Sequence, residues 1–367
     1  LILSAAFAYF LLYLYKRRTP RCILVGCFLW FALFPMHPIF AITATKDVLC
    51  AAFFLFFMVF VIRYFVHNEK FKWYSYAGMI VSGVLLCLFR NNALYAVLLT
   101  GVVLAVMTKG WKNRGIVLLL LTMIYVFTSI SNEALIRYTN AETKDKYRES
   151  LSLPLQGMAR VASYRGDELS PELYDELITY IREEDIANYN PYLSDPIKNE
   201  ANEQKLKGNL INFFKLWAKI GIQFPDEYIE SVITNTVGYW YPLYQGTYVS
   251  NDVSLYHTLI GIGEEIGKKN FCNWLTDIYD PIFYEKNFYY VPLLGFFFRN
   301  AFYVWTVIVY MLWCVYKKDW NACKLGLLPL LYFATCICGP LSALRYIYCL
   351  VVSTPLLLQT MLAGKKE

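Results

Sequence analysis

Charge is scarce in this chain and is unevenly placed. Charged residues make up 17% of the 367 residues, whereas about 25% is usual for a soluble globular protein. Outside residues 131–290 the only acidic residues are Asp47, Glu69, Asp319 and Glu367. Hydrophobic residues reach 57% and stand in long blocks, which excludes an ordinary soluble enzyme and a disordered chain.

Several kinds of site are missing as well. The three histidines, His37, His67 and His257, are far apart, so the sequence shows no cluster of metal ligands. Cys272 is the only one of the ten cysteines within 131–290, so that segment has no internal disulfide partner. The sequence contains no nucleophile elbow, P-loop or dinucleotide-binding fingerprint. We predict no cofactor; a divalent metal is allowed but has no support in these residues.

The apolar blocks have the length of membrane-spanning helices. A helix needs roughly 17–25 residues to cross about 30 Å of hydrocarbon. We place nine spans at about 1–15, 22–36, 47–66, 73–89, 93–108, 115–132, 291–316, 321–338 and 343–363. The predicted fold is an all-α polytopic membrane protein with about nine transmembrane helices. Because Leu1 already lies inside an apolar block, we expect a fragment that lacks its N-terminal part.

The basic residues predict which connections are cytoplasmic. One set of alternate connections carries 14 Lys and Arg residues, and the opposite short connections carry only Lys46, Arg90 and Arg345. The positive-inside rule places the first set in the cytoplasm. We therefore predict transmembrane helices 1–6 in residues 1–132, an extracytoplasmic helical domain in 133–290, and transmembrane helices 7–9 in 291–367.

The soluble segment is acidic. Residues 131–290 hold 24 acidic and 15 basic side chains, a balance that excludes nucleic acid as a partner. Ser170-Pro171-Glu172 and Pro225-Asp226-Glu227 each place a proline and a carboxylate in the first turn of a helix. The segment is therefore predicted to be helical.

Four basic residues stand where a membrane protein disfavours them. Lys46, Arg90 and Arg345 lie at external ends of spans, and Arg299 lies about 12 Å inside one at 1.5 Å per residue. Such charges are costly unless they are paired or face a wet cavity. Converging, they would form a site for a phosphate or pyrophosphate. The alternative is that each one snorkels to the interface or pairs with Asp47 or with the acidic domain.

Polar residues beside these cations could complete a pocket. Asn91 and Asn92 follow Arg90 and offer hydrogen bonds. Asp47 begins a span, where it would act either as a helix-dipole partner with Thr45 as cap or as a carboxylate that takes a proton, orients a hydroxyl or binds a metal.

An aromatic group in the soluble segment is a second candidate site. Tyr239, Trp240 and Tyr241 are consecutive. Aromatic faces stack on sugar rings, but the same residues also form domain cores and interfacial belts. Both interpretations stay open.

Several motifs resemble a group of uncharacterised multi-pass bacterial membrane proteins. The motifs are Pro35-Met36-His37-Pro38, Ala44-Thr45-Lys46-Asp47-Val48-Leu49, Arg90-Asn91-Asn92-Ala93-Leu94-Tyr95, Leu153-Pro154-Leu155-Gln156 with Arg160, Trp217 with Gly221, Pro225 and Tyr228, and Gly238-Tyr239-Trp240-Tyr241-Pro242. That group is in turn similar to GT-C glycosyltransferases, which take a sugar from a polyprenyl-phosphate carrier at the external membrane face. The resemblance implies a bacterial cell membrane.

The resemblance also implies roles for the candidate residues. In GT-C enzymes the principal carboxylate usually lies in the first external loop, and Asp47 matches a second acidic residue at the start of a later span. Lys46, Arg90, Asn91, Asn92, Arg299 and Arg345 would bind the phosphate of a lipid-linked sugar donor. Tyr239, Trp240 and Tyr241 would bind a glycan or cell-wall polymer acceptor.

The predicted function is therefore an integral-membrane glycosyltransferase whose partners are the lipid-linked donor, the acceptor and membrane lipid. One alternative is a cell-wall polysaccharide polymerase or ligase. The other is a non-enzymatic transporter or scaffold, and a scaffold would need none of the buried cations.

Overall fold

The predicted all-α class is confirmed by the computed structural model. It describes residues 1–34, 36–42, 45–140, 146–244 and 294–363, and all regular elements in these ranges are helices. The described chain forms two compact units. One contains residues 1–139, 294–336 and 344–363 within those ranges, and the other contains 146–244 with 337–343.

The first unit is built from apolar helices. They are α1 (Ile2–Lys16), α2 (Arg21–Leu33), α3 (Met36–Ile42), α4 (Lys46–Val61, continued by a π-helical turn over Ile62–Val66), α5 (Trp73–Phe89), α6 (Asn91–Met107), α7 (Trp111–Thr139), α16 (Leu294–Phe297), α17 (Asn300–Tyr316), α18 (Trp320–Ile337) and α19 (Tyr348–Ala363). Of these, α4 packs against α1, α5 and α19. Most of its side chains are buried, as expected of a helix that is apolar on every side.

Three helices in the described ranges are long and apolar enough to cross a membrane. They are Lys46–Val66, Trp111–Thr139 and Trp320–Ile337. Six other helices are apolar but only 10–17 residues long: Ile2–Lys16, Arg21–Leu33, Trp73–Phe89, Asn91–Met107, Asn300–Tyr316 and Tyr348–Leu362. The chain is thus suited to a membrane in length and composition, and the nine-span topology stays a prediction.

Three helix ends differ from the ends of the predicted spans, and two of them lie at the candidate site residues Arg299 and Arg345. Arg299 is not inside a continuous helix: it has extended backbone angles between α16 and α17. Arg345 precedes α19, which begins at Tyr348 and not at 343. At the other boundary α7 continues to Thr139, beyond the predicted domain start at 133. The predicted domain end at 290, and Cys272, lie outside the described residues.

The second unit is a small helical domain. Its elements are α8 (Lys146–Ser150), α9 (Ser152–Arg165), a 3₁₀ turn (Gly166–Glu168), α10 (Pro171–Ile178), α11 (Glu183–Ile186), α12 (Asp195–Lys198), α13 (Glu203–Gly208), α14 (Leu210–Gln223) and α15 (Pro225–Trp240). The core forms where α9 packs on α12, α14 and α15. From α14, three residues at helical spacing enter this core, namely Phe213, Leu216 and Ile220.

The short connection between α18 and α19 belongs to this second unit. Backbone carbonyl groups of residues 337–343 accept hydrogen bonds from other residues of this unit. The Ser194 N–H donates to the Pro340 carbonyl at 2.9 Å, and the Asn235 amide donates to the Gly339 carbonyl at 3.1 Å. The Tyr239 hydroxyl donates to the Leu341 carbonyl at 3.3 Å. A segment that the sequence shows only as a link between two apolar helices is therefore part of a folded domain.

Candidate functional site

Asp47 and Arg90 form a buried ion pair in the first unit. Asp47 lies in the first turn of α4, and Arg90 is the extended residue between α5 and α6. The Arg90 Nε donates to Asp47 Oδ1 at 2.6 Å, and Nη2 lies 2.5 Å from the same oxygen. The two side chains are only 7% and 13% exposed. Each charge therefore compensates the other in a place where neither would be stable alone.

A tyrosine brings a second arginine to this pair. The Arg90 guanidinium carbon lies 4.6 Å from the centroid of the Tyr346 ring, and that of Arg345 lies 4.9 Å from it. Arg345 also donates from Nη2 to the Tyr346 hydroxyl at 3.1 Å. The two guanidinium carbons are thus at most about 9.5 Å apart, the sum of the two ring distances. Cation–π contacts fix both groups beside the same ring.

The backbone of Tyr346 is held by α18. Its carbonyl accepts a hydrogen bond from the Tyr332 hydroxyl at 3.2 Å and another from the Cys336 thiol at 3.4 Å. Asn92, near the start of α6, donates to the Thr335 hydroxyl at 3.0 Å. This contact with α18 joins the start of α6 to the residues around Tyr346, and the predicted role of Asn92 in binding a phosphate stays a prediction.

The other predicted phosphate ligands lie in the same unit. Lys46 is exposed at the first residue of α4, and Asn91 is exposed at the first residue of α6. Arg299 is half-buried at the break before α17. The convergence of these three residues with Arg90 and Arg345 in one cavity stays a prediction.

The aromatic group of the second unit divides into two parts. Tyr239 is buried, and its hydroxyl donates a hydrogen bond to the Leu341 carbonyl, so its ring is not accessible to a ligand in this structure. Trp240 and Tyr241 are 41% and 45% exposed, with ring centroids 6.2 Å apart. The hypothesis that this group stacks on an acceptor sugar now depends on Trp240 and Tyr241.

Sequence reasoning identified both members of the ion pair and missed the residues that organise it. Tyr346 was the neighbour of a singled-out arginine, but with 31 tyrosines in the chain nothing distinguished it. Tyr332, Thr335 and Cys336 lie inside the predicted span 321–338, where no local pattern sets them apart. Within the described ranges, no group of three or more His, Cys, Asp or Glu side chains could hold a metal ion.

Comparison with known proteins gives a family but no function. One family model matches residues 1–367, and the proteins that it unites have no known function. No curated protein and no solved structure matches the chain. The activity must therefore be inferred from the residues themselves.

Proposed function

The chain belongs to DUF6020, a family of unknown function, so a function has to be inferred from the arrangement of its own residues. From that arrangement we propose that the protein is an integral-membrane glycosyltransferase. In this proposal it transfers a sugar from a polyprenyl-phosphate carrier to an extracytoplasmic glycan, lipid or cell-wall polymer. The observation that carries the proposal is the meeting of Arg90 and Arg345 on the Tyr346 ring.

Two fixed guanidinium groups favour a phosphate as the ligand. Guanidinium donors match phosphate oxygens in geometry and charge, and their hydrogen bonds to an anion are among the strongest in proteins. Arg90 is largely buried, and electrostatic attraction is much stronger in such a place than in water. Because Tyr346 and Asp47 already hold the guanidinium groups, little reorganisation is needed when negative charge develops on a leaving phosphate.

Asp47 has a different role in this arrangement from that of a simple base. Its Oδ1 already accepts two N–H groups of Arg90. The carboxylate is therefore better suited to position Arg90 than to take the acceptor proton, although its second oxygen could still orient an acceptor hydroxyl. We accordingly treat Asp47 as a positioning residue that assists the transfer.

The proposal includes the membrane topology. Nine spans with residues 133–290 outside are supported by three long and six shorter apolar helices and by the uneven distribution of basic residues. Asn113 and Ser170 are exposed and should lie on opposite sides. In intact cells we expect an impermeant thiol reagent to modify Ser170→Cys and to leave Asn113→Cys unmodified until the membrane is opened. Labelling of the unsubstituted chain gives the background, and the reverse pattern would invert the topology.

Binding of undecaprenyl phosphate to the full chain in lipid nanodiscs tests the site. We expect the phosphate to bind and undecaprenol, which has the same chain without the phosphate, to bind much more weakly. Arg345→Gln should weaken phosphate binding by about 10- to 100-fold, since a hydrogen bond to a charged group contributes about 1.5–3 kcal/mol. Native mass spectrometry measures both affinities directly.

Arg63→Gln is the matched control. Arg63 also contacts an aromatic ring, with its guanidinium carbon 5.3 Å from the Phe71 centroid, and it pairs with Glu69. It lies roughly 24 Å along the α4 helix from Asp47 at 1.5 Å per residue. Equal binding of the alcohol and the phosphate, or equal losses in the two variants, would remove the phosphate site. If the phosphate binds but no polyprenyl-phosphate sugar yields a protein-dependent glycan product, a binding or transport role replaces transfer.

A further inference from the structure

Helix α14 has two apolar faces, and only one of them packs into the core of the second unit. The buried face consists of Phe213, Leu216 and Ile220. On the opposite side Ile211 is 73% exposed and Ile222 is 81% exposed. Phe214 lies between them and is also exposed. Spacings of three and eight residues put these three side chains along one side of the helix.

Helix α15 repeats this arrangement. Its buried side carries Ser231, Asn235 and Tyr239. Its exposed side carries apolar residues, with Ile229 60% exposed and Ile233 and Trp240 also exposed. Spacings of four and seven residues again place them on one side of the helix.

Two apolar stripes of this kind are unusual on a soluble domain. Single exposed apolar residues need no explanation, whereas contiguous ones mark a surface that contacts something apolar. Among the residues that the structure describes, the core of the second unit forms without them, because α14 and α15 pack through their other sides. The stripes therefore indicate a surface that contacts something other than the core of this domain.

We propose that these two stripes form a membrane-docking surface that inserts into the headgroup region of the lipid bilayer. The surface is defined by Ile211, Phe214, Ile222, Ile229, Ile233 and Trp240. With Trp240 in this surface, Tyr241 is the exposed residue of the aromatic group that stays available to stack on an acceptor sugar. The inference goes beyond sugar transfer and does not depend on it; it requires only that the apolar helices of the first unit are in a membrane.

Charge complementarity favours a lipid surface over a protein. Lys215 and Lys219 are exposed on α14 beside its apolar stripe, where their ammonium groups can reach lipid phosphates. The three acidic residues of α15 pair with arginines of α9. Glu227 and Glu230 lie 2.8 and 2.9 Å from Arg160, and Asp226 lies 3.6 Å from Arg165. Exposed apolar side chains beside lysines, with a tryptophan at one end, are typical of helices that lie in a membrane interface.

The chain itself keeps the domain within reach of a bilayer. Only residues 140–145 separate the end of α7, a candidate span, from the start of α8. Residues 337–343 of the same domain follow directly from α18, another candidate span. Because short connections tie this domain to candidate membrane-spanning helices, its apolar surface would have a high effective concentration at the bilayer.

Photo-crosslinking from single positions tests this surface in the full chain. A benzoylphenylalanine is placed at Ile222 or at Ile229, and the protein is reconstituted in vesicles of phosphatidylcholine and phosphatidylglycerol. We expect lipid adducts at both positions by mass spectrometry. Glu172, exposed on α10 of the same domain, is the control position and should give none.

Each other outcome overturns the proposal. Adducts to peptides from 245–293 would show that the chain covers its own stripes, and adducts to a second copy would show a self-association surface. A yield no higher than at Glu172 would show that the stripes face water.

A second comparison separates lipid charge from apolar contact. Changing Lys215 and Lys219 to glutamine should reduce the preference of the adducts for phosphatidylglycerol, by about fivefold for each lysine near the surface. Arg182→Gln is the control, because Arg182 is exposed in the same domain and lies outside α14 and α15. An unchanged preference would contradict the charge complementarity that we assign to Lys215 and Lys219.

Discussion

Replacing Arg90 with leucine is expected to destabilise the first unit by about 3–5 kcal/mol, because the change leaves a buried carboxylate without its partner. Asp47 is only 7% exposed on its side chain, and Nε and Nη2 of Arg90 both lie within hydrogen-bond distance of its Oδ1. Asp47→Leu should lower the stability of the first unit by a similar amount, because it leaves the buried guanidinium of Arg90 without this carboxylate. Unfolding of the full chain in nanodiscs, followed by circular dichroism, measures the losses.

The double variant distinguishes charge compensation from simple packing. Asp47→Leu with Arg90→Leu should be much closer to the unsubstituted protein than either single variant, since removing a whole buried ion pair is often neutral. Arg63→Leu is the control: its pair with Glu69 is 25% and 31% exposed and should contribute no more than about 1 kcal/mol. Additive losses in the double variant would show that the pair has no such coupling.

Replacing Arg160 with methionine should destabilise the second unit by a comparable amount. Arg160 is buried on α9, where it pairs with Glu227 at 2.8 Å and stacks on the Tyr164 ring at 4.8 Å. Methionine keeps much of the volume but leaves the largely buried Glu227 with the more distant Arg165, at 3.9 Å, in place of Arg160. The expected loss is about 3–5 kcal/mol, and faster hydrogen exchange in α9 and α15 would reveal it.

Arg182→Met is the matched control for this variant. Arg182 contacts three carboxylates, those of Glu184, Asp185 and Glu200, but its side chain is 55% exposed. Exposed pairs of this kind contribute about 0–1 kcal/mol each. Equal exchange rates in the Arg160 and Arg182 variants would contradict the view that burial, and not the number of ion pairs, sets the size of the effect.

Local sequence signals predicted helix starts that a proline marks, but not a break inside an apolar run. Pro225 does begin α15, and the Ser170-Pro171 start of α10 is correct. These signals depend on neighbours within one turn, which the sequence displays. By contrast, the break at Arg299 lies within a continuous apolar run, where composition gives no sign of an interruption.

The site shows the same division between local and distant information. The position of Arg90 at a span end is a local property, and pairing with Asp47 was one of the alternatives that it suggested. The role of Tyr346 depends on a contact with a residue 256 positions away in the chain. No periodicity or spacing carries that information, because it arises only when α5, α18 and α19 have packed.

The connection over 337–343 has a consequence for how this protein can change. Loops between membrane helices usually accept insertions and deletions with little effect. Here Gly339, Pro340 and Leu341 are each bound to a particular partner, and Arg345 and Tyr346 follow within a few residues. One residue added within 339–341 would put the wrong carbonyl groups opposite Asn235 and Tyr239. The length of this connection is thus fixed by its contacts inside the second unit.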